Sequence, residues 1–230
     1  MSQLGKVLSK PSGRRLVIPD IHGCFKTLEQ LWDKVTPQTE DQVIFLGDYV
    51  NKGTSNRKVL DFLMAKSDDF PLYFLRGNHD QKVIDFYDVR DEHMKEELDE
   101  LNCSDLTELS EQEAKKYREF LESMPYFYIS DTYVLVHAGL DFTLTNPFLG
   151  KEAMMNIRGF SYDNKKAQNK SIVHGHYPFP LNHIRKEIDN RQKVFPLDNG
   201  CVYTDREGHG NLLCLDLDTL ELIVQPNIEE

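Results

Sequence analysis

Five short apolar runs in this chain of 230 residues each stop at polar residues of the type that bind metal ions. Leu16–Ile18 leads into "DIHG", with Asp20 and His22, and Val43–Leu46 into "GD", with Asp48. Leu72–Leu75 leads into "RGNHD", with Arg76, Asn78, His79 and Asp80. Tyr133–Val136 leads into "HAG", with His137, and Ile172–Val173 into "HGH", with His174 and His176. Such runs are predicted strands. Between them Phe25, Leu28, Leu31, Trp32 and Val35 recur at helical spacing, and Val59, Leu60, Phe62 and Leu63 follow a helix start at Ser55-Asn56. This alternation predicts an α/β fold with a largely buried sheet. The carboxyl ends of parallel strands share one edge, where ligands bind. Side chains more than 150 positions apart would meet there.

One histidine at a strand end is ordinarily a hydrogen-bonded structural residue, and one aspartate there a turn residue. The same ending on five runs is not explained that way. Gly23, Gly47, Gly77 and Gly175 stand beside four of the endings, where tight turns and close approach are needed. The donors are oxygen and imidazole. Cys24, Cys103, Cys201 and Cys214 make no CxxC pair and no disulfide framework, and read as reduced thiols of a cytoplasmic protein. Such a set suits Mn first, with Fe or Zn as alternatives, and not a structural zinc finger. There are too many ligands for one ion. Two ions about 3.5–4 Å apart sharing a carboxylate would activate water and neutralise phosphoryl oxygens.

With 40% hydrophobic residues and no linker or repeat, residues 1–230 read as one domain. A net charge of −11 argues against nonspecific nucleic-acid binding and against anionic membranes. No run approaches the ~20 apolar residues of a membrane span, and "MSQLGKVLSKPSGRR" lacks the apolar stretch of a signal peptide. The segment 85–122 carries 14 acidic and 5 basic residues, a charge of −9. It predicts an acidic helical insertion or cap at about 85–123, with a capping box from Ser110 to Glu113. "NLLCLDLDTLELIVQ" predicts a hairpin around Asp218-Thr219. Together with Lys193–Phe195 and Val202-Tyr203 it is expected to form a second sheet, packed face to face on the first with helices outside.

"DIHGC", "GDYVNKG", "LRGNHD", "HAG" and "GHYP", in this order, resemble the calcineurin-like metallophosphoesterases, in particular their serine/threonine phosphoprotein phosphatase branch. That branch includes bacterial and phage phosphatases and symmetrical diadenosine tetraphosphatases. The late "FPLDNGCVY" and "GNLLCLDLDTLEL" are similar to its closing strands. The resemblance implies two mixed sheets in a four-layer αββα sandwich and a site with two divalent ions. One ion would be held by Asp20, His22 and Asp48, the other by Asp48, Asn78, His137 and His176. His79 would protonate the leaving oxygen, and Arg76 and Arg158 would bind phosphate. His174 has no ligand counterpart in the branch. Where the family has aspartate and arginine, this chain has Asn51 and Lys52. Asn51 could orient His79 but brings no charge to an imidazolium, which points to a weakened general acid, with Asp80 a candidate for the missing charge. Lys52 keeps a positive charge for the phosphate without the two-pronged contact of arginine.

The resemblance therefore implies hydrolysis of a phosphoester, with a phosphoserine or phosphothreonine protein ranked first as substrate. A dinucleoside polyphosphate hydrolase, of the symmetrical tetraphosphatase kind, is the alternative. From another class comes a catalytically weak scaffold that retained the metal site. A nucleotide would need an aromatic seat. Phe160, Tyr162, Tyr177 and Phe179 could supply it, although a core or groove role is favoured for them.

Overall fold

The computed structural model describes residues 4–229. Its strands are β1 (Gly5–Val7), β2 (Arg15–Ile18), β3 (Gln42–Phe45), β4 (Leu72–Phe74), β5 (Phe127–Ile129), β6 (Tyr133–Val136), β7 (Ser171–His174), β8 (Val194–Pro196), β9 (Asn211–Asp216) and β10 (Leu222–Pro226). Its helices are α1 (Phe25–Val35), α2 (Asn56–Lys66), α3 (Asn78–Val89), α4 (Glu92–Glu100), α5 (Ser104–Thr107), α6 (Glu111–Glu122), α7 (Lys151–Asn156) and α8 (Leu181–Asp189).

The strands form two mixed five-stranded sheets, ordered β10-β9-β2-β3-β4 and β1-β5-β6-β7-β8. Side chains alternate across a strand, so β2 serves two layers. Leu16 and Ile18 pack with Leu28, Leu31, Leu60 and Leu63 of α1 and α2. Val17, between them, packs with Leu135, Val173 and Phe195 of the other sheet. Beyond that sheet, Val134, Val136 and Ile172 meet Met154 and Met155 of α7. The order helix, sheet, sheet, helix is the expected four-layer arrangement.

Two expectations need correction. The motif-bearing strands do not share one sheet: β2, β3 and β4 belong to the first, β6 and β7 to the second. Their loops meet because the sheets are stacked. The C-terminal hairpin also forms around Asp218-Thr219 but extends the first sheet, β9 pairing antiparallel to β2 with Val17 opposite Leu215. A strand whose Leu212–Leu215 stretch is wholly buried can occupy an interior position. β8 joins the other sheet beside β7, and Val202-Tyr203 is a turn.

The acidic segment becomes the end of α3 and then α4, α5 and α6. Ser110 and Glu113 make the expected capping box. The polar faces are exposed, while Leu98, Leu106, Tyr117 and Leu121 join the apolar layer under the first sheet. The segment also fixes the turn after β3: Lys52 N–H donates to Leu101 O, and Asn102 Nδ2 to Lys52 O at 2.8 Å.

Arg15, only 5% exposed, ties the sheets together. Its guanidinium donates to Asp218 at 2.6 and 3.2 Å and to Asp131 at 2.8 Å. The hydrogen bonds from Arg15 hold the Asp218 carboxyl below the usual carboxylate range. A depressed folded value gives stability that is present above the ordinary carboxylate value and is lost as pH falls through the folded one. Arg15→Met should cost about 1–3 kcal/mol near neutrality in urea melts. Its deficit should shrink below about pH 4. A deficit independent of pH would instead assign the loss to packing.

Candidate metal centre and active site

Asp20, His22, Asp48, Asn78, His79, His137 and His176 gather where the loops after β2, β3, β4, β6 and β7 meet. His137 Nε2, His176 Nδ1 and Asn78 Oδ1 lie within 3.0–3.2 Å of one another. Asp48 Oδ1 is 3.5 Å from His137 Nε2, and Asp48 Oδ2 is 3.6 Å from His22 Nε2. Asp20 Oδ2 stands 4.0 Å from the same His22 nitrogen. The two oxygens of Asp48 thus face two separate donor groups. Asp48, His22 and His79 form a second cluster within metal-binding reach, beside that of Asp48, His137 and His176.

The histidines are oriented from behind. His22 Nδ1 contacts Val50 O at 3.0 Å and His137 Nδ1 contacts Leu46 O at 2.9 Å. A proton on each Nδ1 leaves the Nε2 lone pair facing the site, the usual device for fixing a metal-binding imidazole. Burial, then Lys52, hold His22 well below its ordinary value, and burial, then His176, do the same for His137. His176 is lowered to about 4 by burial, then by Arg158 and Lys52. All three are neutral imidazoles near pH 7, as ligands must be.

The carboxylates carry the opposite stress. Burial, then Asp198 and Asp48, push Asp20 well above the carboxylate range, and burial, then Asp80, do so for Asp48. Buried like charges with facing lone pairs fit divalent cations. The Lys52 ammonium already sits 2.8 Å from His22 Nε2.

The local backbone is built for this convergence. His22, Asp48, Asn51, Lys52 and His176 all have positive φ, between 49° and 72°. Such conformations cost energy for non-glycine residues and collect at functional sites. A Cβ on Gly77 would lie 2.1 Å from Asp48 Oδ1, and one on Gly175 2.1 Å from Asp20 Oδ1. Only glycine lets these turns approach the carboxylates so closely.

A cleft of about 210 Å³ opens over the cluster, lined by Asp48, Lys52, Asn78, His79, Arg158 and His176, and also by Tyr203 and Arg206. Lys52 and Arg158 are therefore where a phosphate binder would be. Arg76 is not among the lining residues. Its guanidinium donates to Gln81 Oε1 and Tyr126 Oη, both at 3.0 Å, and to Glu122 O at the end of α6. A cation at a helix C-terminus is stabilised there, which draws Arg76 away from the expected phosphate position. Arg206 supplies a third cation that the motifs did not reveal. Asp198 was also missed. It is buried, accepts from Gly200 N at 2.7 Å, and is raised to about 6 by burial. A carboxylate in the apolar "FPLDNG" was the available signal.

His79 Nδ1 lies 3.0 Å from Asn51 Nδ2, so Asn51 does orient the ring. Asp80 does not supply the missing charge. Its carboxylate accepts from the N–H groups of Asp48, Tyr49 and Gly77 at 2.8–3.0 Å and serves the turn. Burial, then Lys52 and Lys82, hold His79 down to about 3. Replacing Asn51 by aspartate, which also tolerates positive φ, restores a negative partner. Asn51→Asp should raise turnover about tenfold on esters with poor leaving groups, part of the range general acids contribute, and leave p-nitrophenyl phosphate nearly unchanged. Equal effects on both substrates would dissociate Asn51 from leaving-group protonation. His174 stays out of the cluster. It is buried, contacts Gly175 O at 3.0 Å, and packs edge-on against Phe160.

Paired donor groups sharing a carboxylate, under a cationic cleft, define a metal-dependent phosphoesterase site. The chain belongs to the calcineurin-like phosphoesterase family, which it matches over residues 13–213. It is 29% identical over 220 residues to the asymmetrical bis(5'-nucleosyl)-tetraphosphatase PrpE of Bacillus velezensis, covering 81% of this chain and 84% of that one. It is 38% identical over 71 residues to the symmetrical bis(5'-nucleosyl)-tetraphosphatase of Buchnera aphidicola, a stretch that spans 30% of this chain and a quarter (25%) of that protein. A Saccharomyces cerevisiae protein serine/threonine phosphatase shares the fold, with a TM-score of 0.64 at 15% identity over 99% of this chain and 84% of the other.

Proposed function

We propose that this chain hydrolyses phosphoanhydride bonds of dinucleoside polyphosphates with a pair of divalent ions, Mn foremost. Asp20, His22 and Asp48 would hold one ion, and Asp48, Asn78, His137 and His176 the other. The ions would supply an activated water and neutralise phosphoryl charge. The observation that carries the reading is Asp48, whose two oxygens face separate donor groups 3.5 and 3.6 Å away.

Lys52, Arg158 and Arg206 around one cleft favour a substrate with several phosphates. Three cations exceed what one phosphomonoester needs. A guanidinium can contact two phosphoryl oxygens at once, whereas the Lys52 ammonium acts as a point charge. His79, oriented by Asn51, faces the cleft and donates toward the leaving oxygen. This order reverses the sequence-based ranking: relatives that run along most of the chain bear tetraphosphatase names, as for PrpE of B. velezensis. A phosphoserine or phosphothreonine protein remains the second reading, favoured by the shared fold of the yeast phosphatase.

The test sets diadenosine tetraphosphate against a phosphothreonine peptide with Mn present. A kcat/KM at least about tenfold higher on the dinucleotide is expected. A higher value on the peptide would restore the protein-phosphatase ranking. Arg206→Ala should raise KM for the dinucleotide about tenfold, the effect of one charge-assisted contact of roughly 1.5–3 kcal/mol, and should change KM for p-nitrophenyl phosphate less.

A further inference from the structure

Beside the metal cleft lies a second cavity of about 210 Å³, equal in volume to about seven waters at ~30 Å³ each. Phe160, Tyr177, Phe179 and His183 line it, with Arg158 and Glu187. Arg158 and Tyr177 line the metal cleft as well. A ligand can therefore pass from one to the other under a single arginine. Tyr177 is 42% exposed at this junction, so its ring is open to a ligand. Tyr177 and Phe179 are set edge to face at 5.2 Å, and Phe179 stacks on His183 at 4.9 Å. The rings thus fix one another before anything binds. His183 and Glu187 stand one turn apart on α8. Glu187 offers an acceptor for a base amino group.

We propose that this cavity seats one nucleobase of the substrate while its phosphate lies in the cleft. The assignment rests on the dinucleotide reading above and adds the residues that recognise the nucleoside. An aromatic-walled slot beside a phosphate cleft suits a flat heterocycle on a charged tether. An apolar side chain of a phosphopeptide would use the slot without gaining from Glu187 or from ring stacking.

The test is calorimetric and independent of turnover. Mn-loaded protein is titrated with AMP, with ribose 5-phosphate and with inorganic phosphate. AMP should bind at least about tenfold tighter than ribose 5-phosphate, the contribution of one base stacked on an aromatic ring. Phe179→Ala should reduce that ratio to about two or less. Because loss of Phe179 also weakens packing, Gly159→Leu serves as the second variant. Gly159 lines the cavity, and a Cβ there meets no heavy atom within 4 Å, so the substitution adds bulk at the cavity wall without a clash at Cβ. Equal affinities for AMP and ribose 5-phosphate, or a ratio that survives both variants, would overturn the seat. A protein that cleaves diadenosine tetraphosphate without preferring AMP loses the seat and keeps the proposed function. One that prefers AMP and cleaves only phosphopeptides keeps the seat and loses the dinucleotide reading.

Discussion

Asp48→Asn is expected to give a folded protein whose turnover falls by at least about 10³-fold. Among the described residues, Asp48 is the side chain common to both donor groups, with Oδ1 toward His137 and Oδ2 toward His22. Asparagine replaces one of these oxygens with a donor, which cannot bind a cation. Losing one ion removes several kcal/mol of charge stabilisation from the reacting phosphate, and each 1.36 kcal/mol is about tenfold in rate. The fold should tolerate the change. Asp48 has φ of 53°, which asparagine adopts readily, and Asn Oδ1 can still accept the His79 N–H now 2.9 Å from Asp48 Oδ1. Circular dichroism and steady-state kinetics with Mn decide it. Activity within tenfold of the parent would refute a shared-carboxylate site.

Stability should move in the opposite direction to activity at Asp20. Asp20, Asp48 and Asp198 are all buried; burial raises all three carboxyls, and neighbouring carboxylates raise Asp20 and Asp48 further. Without divalent ions this cluster destabilises the fold. Mn at about 100 times its dissociation constant should add about 2.7 kcal/mol, read as a higher Tm that a chelator reverses along with all turnover. Asp20→Asn relieves part of the repulsion while keeping an oxygen to accept the His176 N–H, now 3.0–3.1 Å from Asp20. In chelator, the variant should therefore be more stable than the parent by about 1 kcal/mol, yet show little response to Mn and little activity. A variant less stable than the parent in chelator would mean that Asp20 serves the fold.

The strand-end histidines and aspartates were legible because each sits at a fixed offset from a recognisable apolar run. His137 follows β6 directly, and His176 stands two residues after β7. What lies between strands was harder to read. Arg206 and Asp198 occupy the loop after β8, where no period marks which residue faces the cleft. Arg76 misled for the converse reason: the motif gives its neighbourhood, but the end of α6, 46 residues on, decides where its side chain points. The sheet assignments failed in the same way. Alternation identified β9 and β10, yet only the burial of both faces of β9 shows that it fits inside the first sheet. The positive φ values of His22, Asp48 and His176 had no sequence signal at all.

Electron paramagnetic resonance of Mn-titrated protein tests the shared carboxylate most directly. Ions bridged by one carboxylate are magnetically coupled. Two Mn ions per chain giving a coupled spectrum, converted by Asp48→Asn to that of isolated Mn, is the expected result. A single bound ion, or two ions uncoupled in the parent protein, would contradict it.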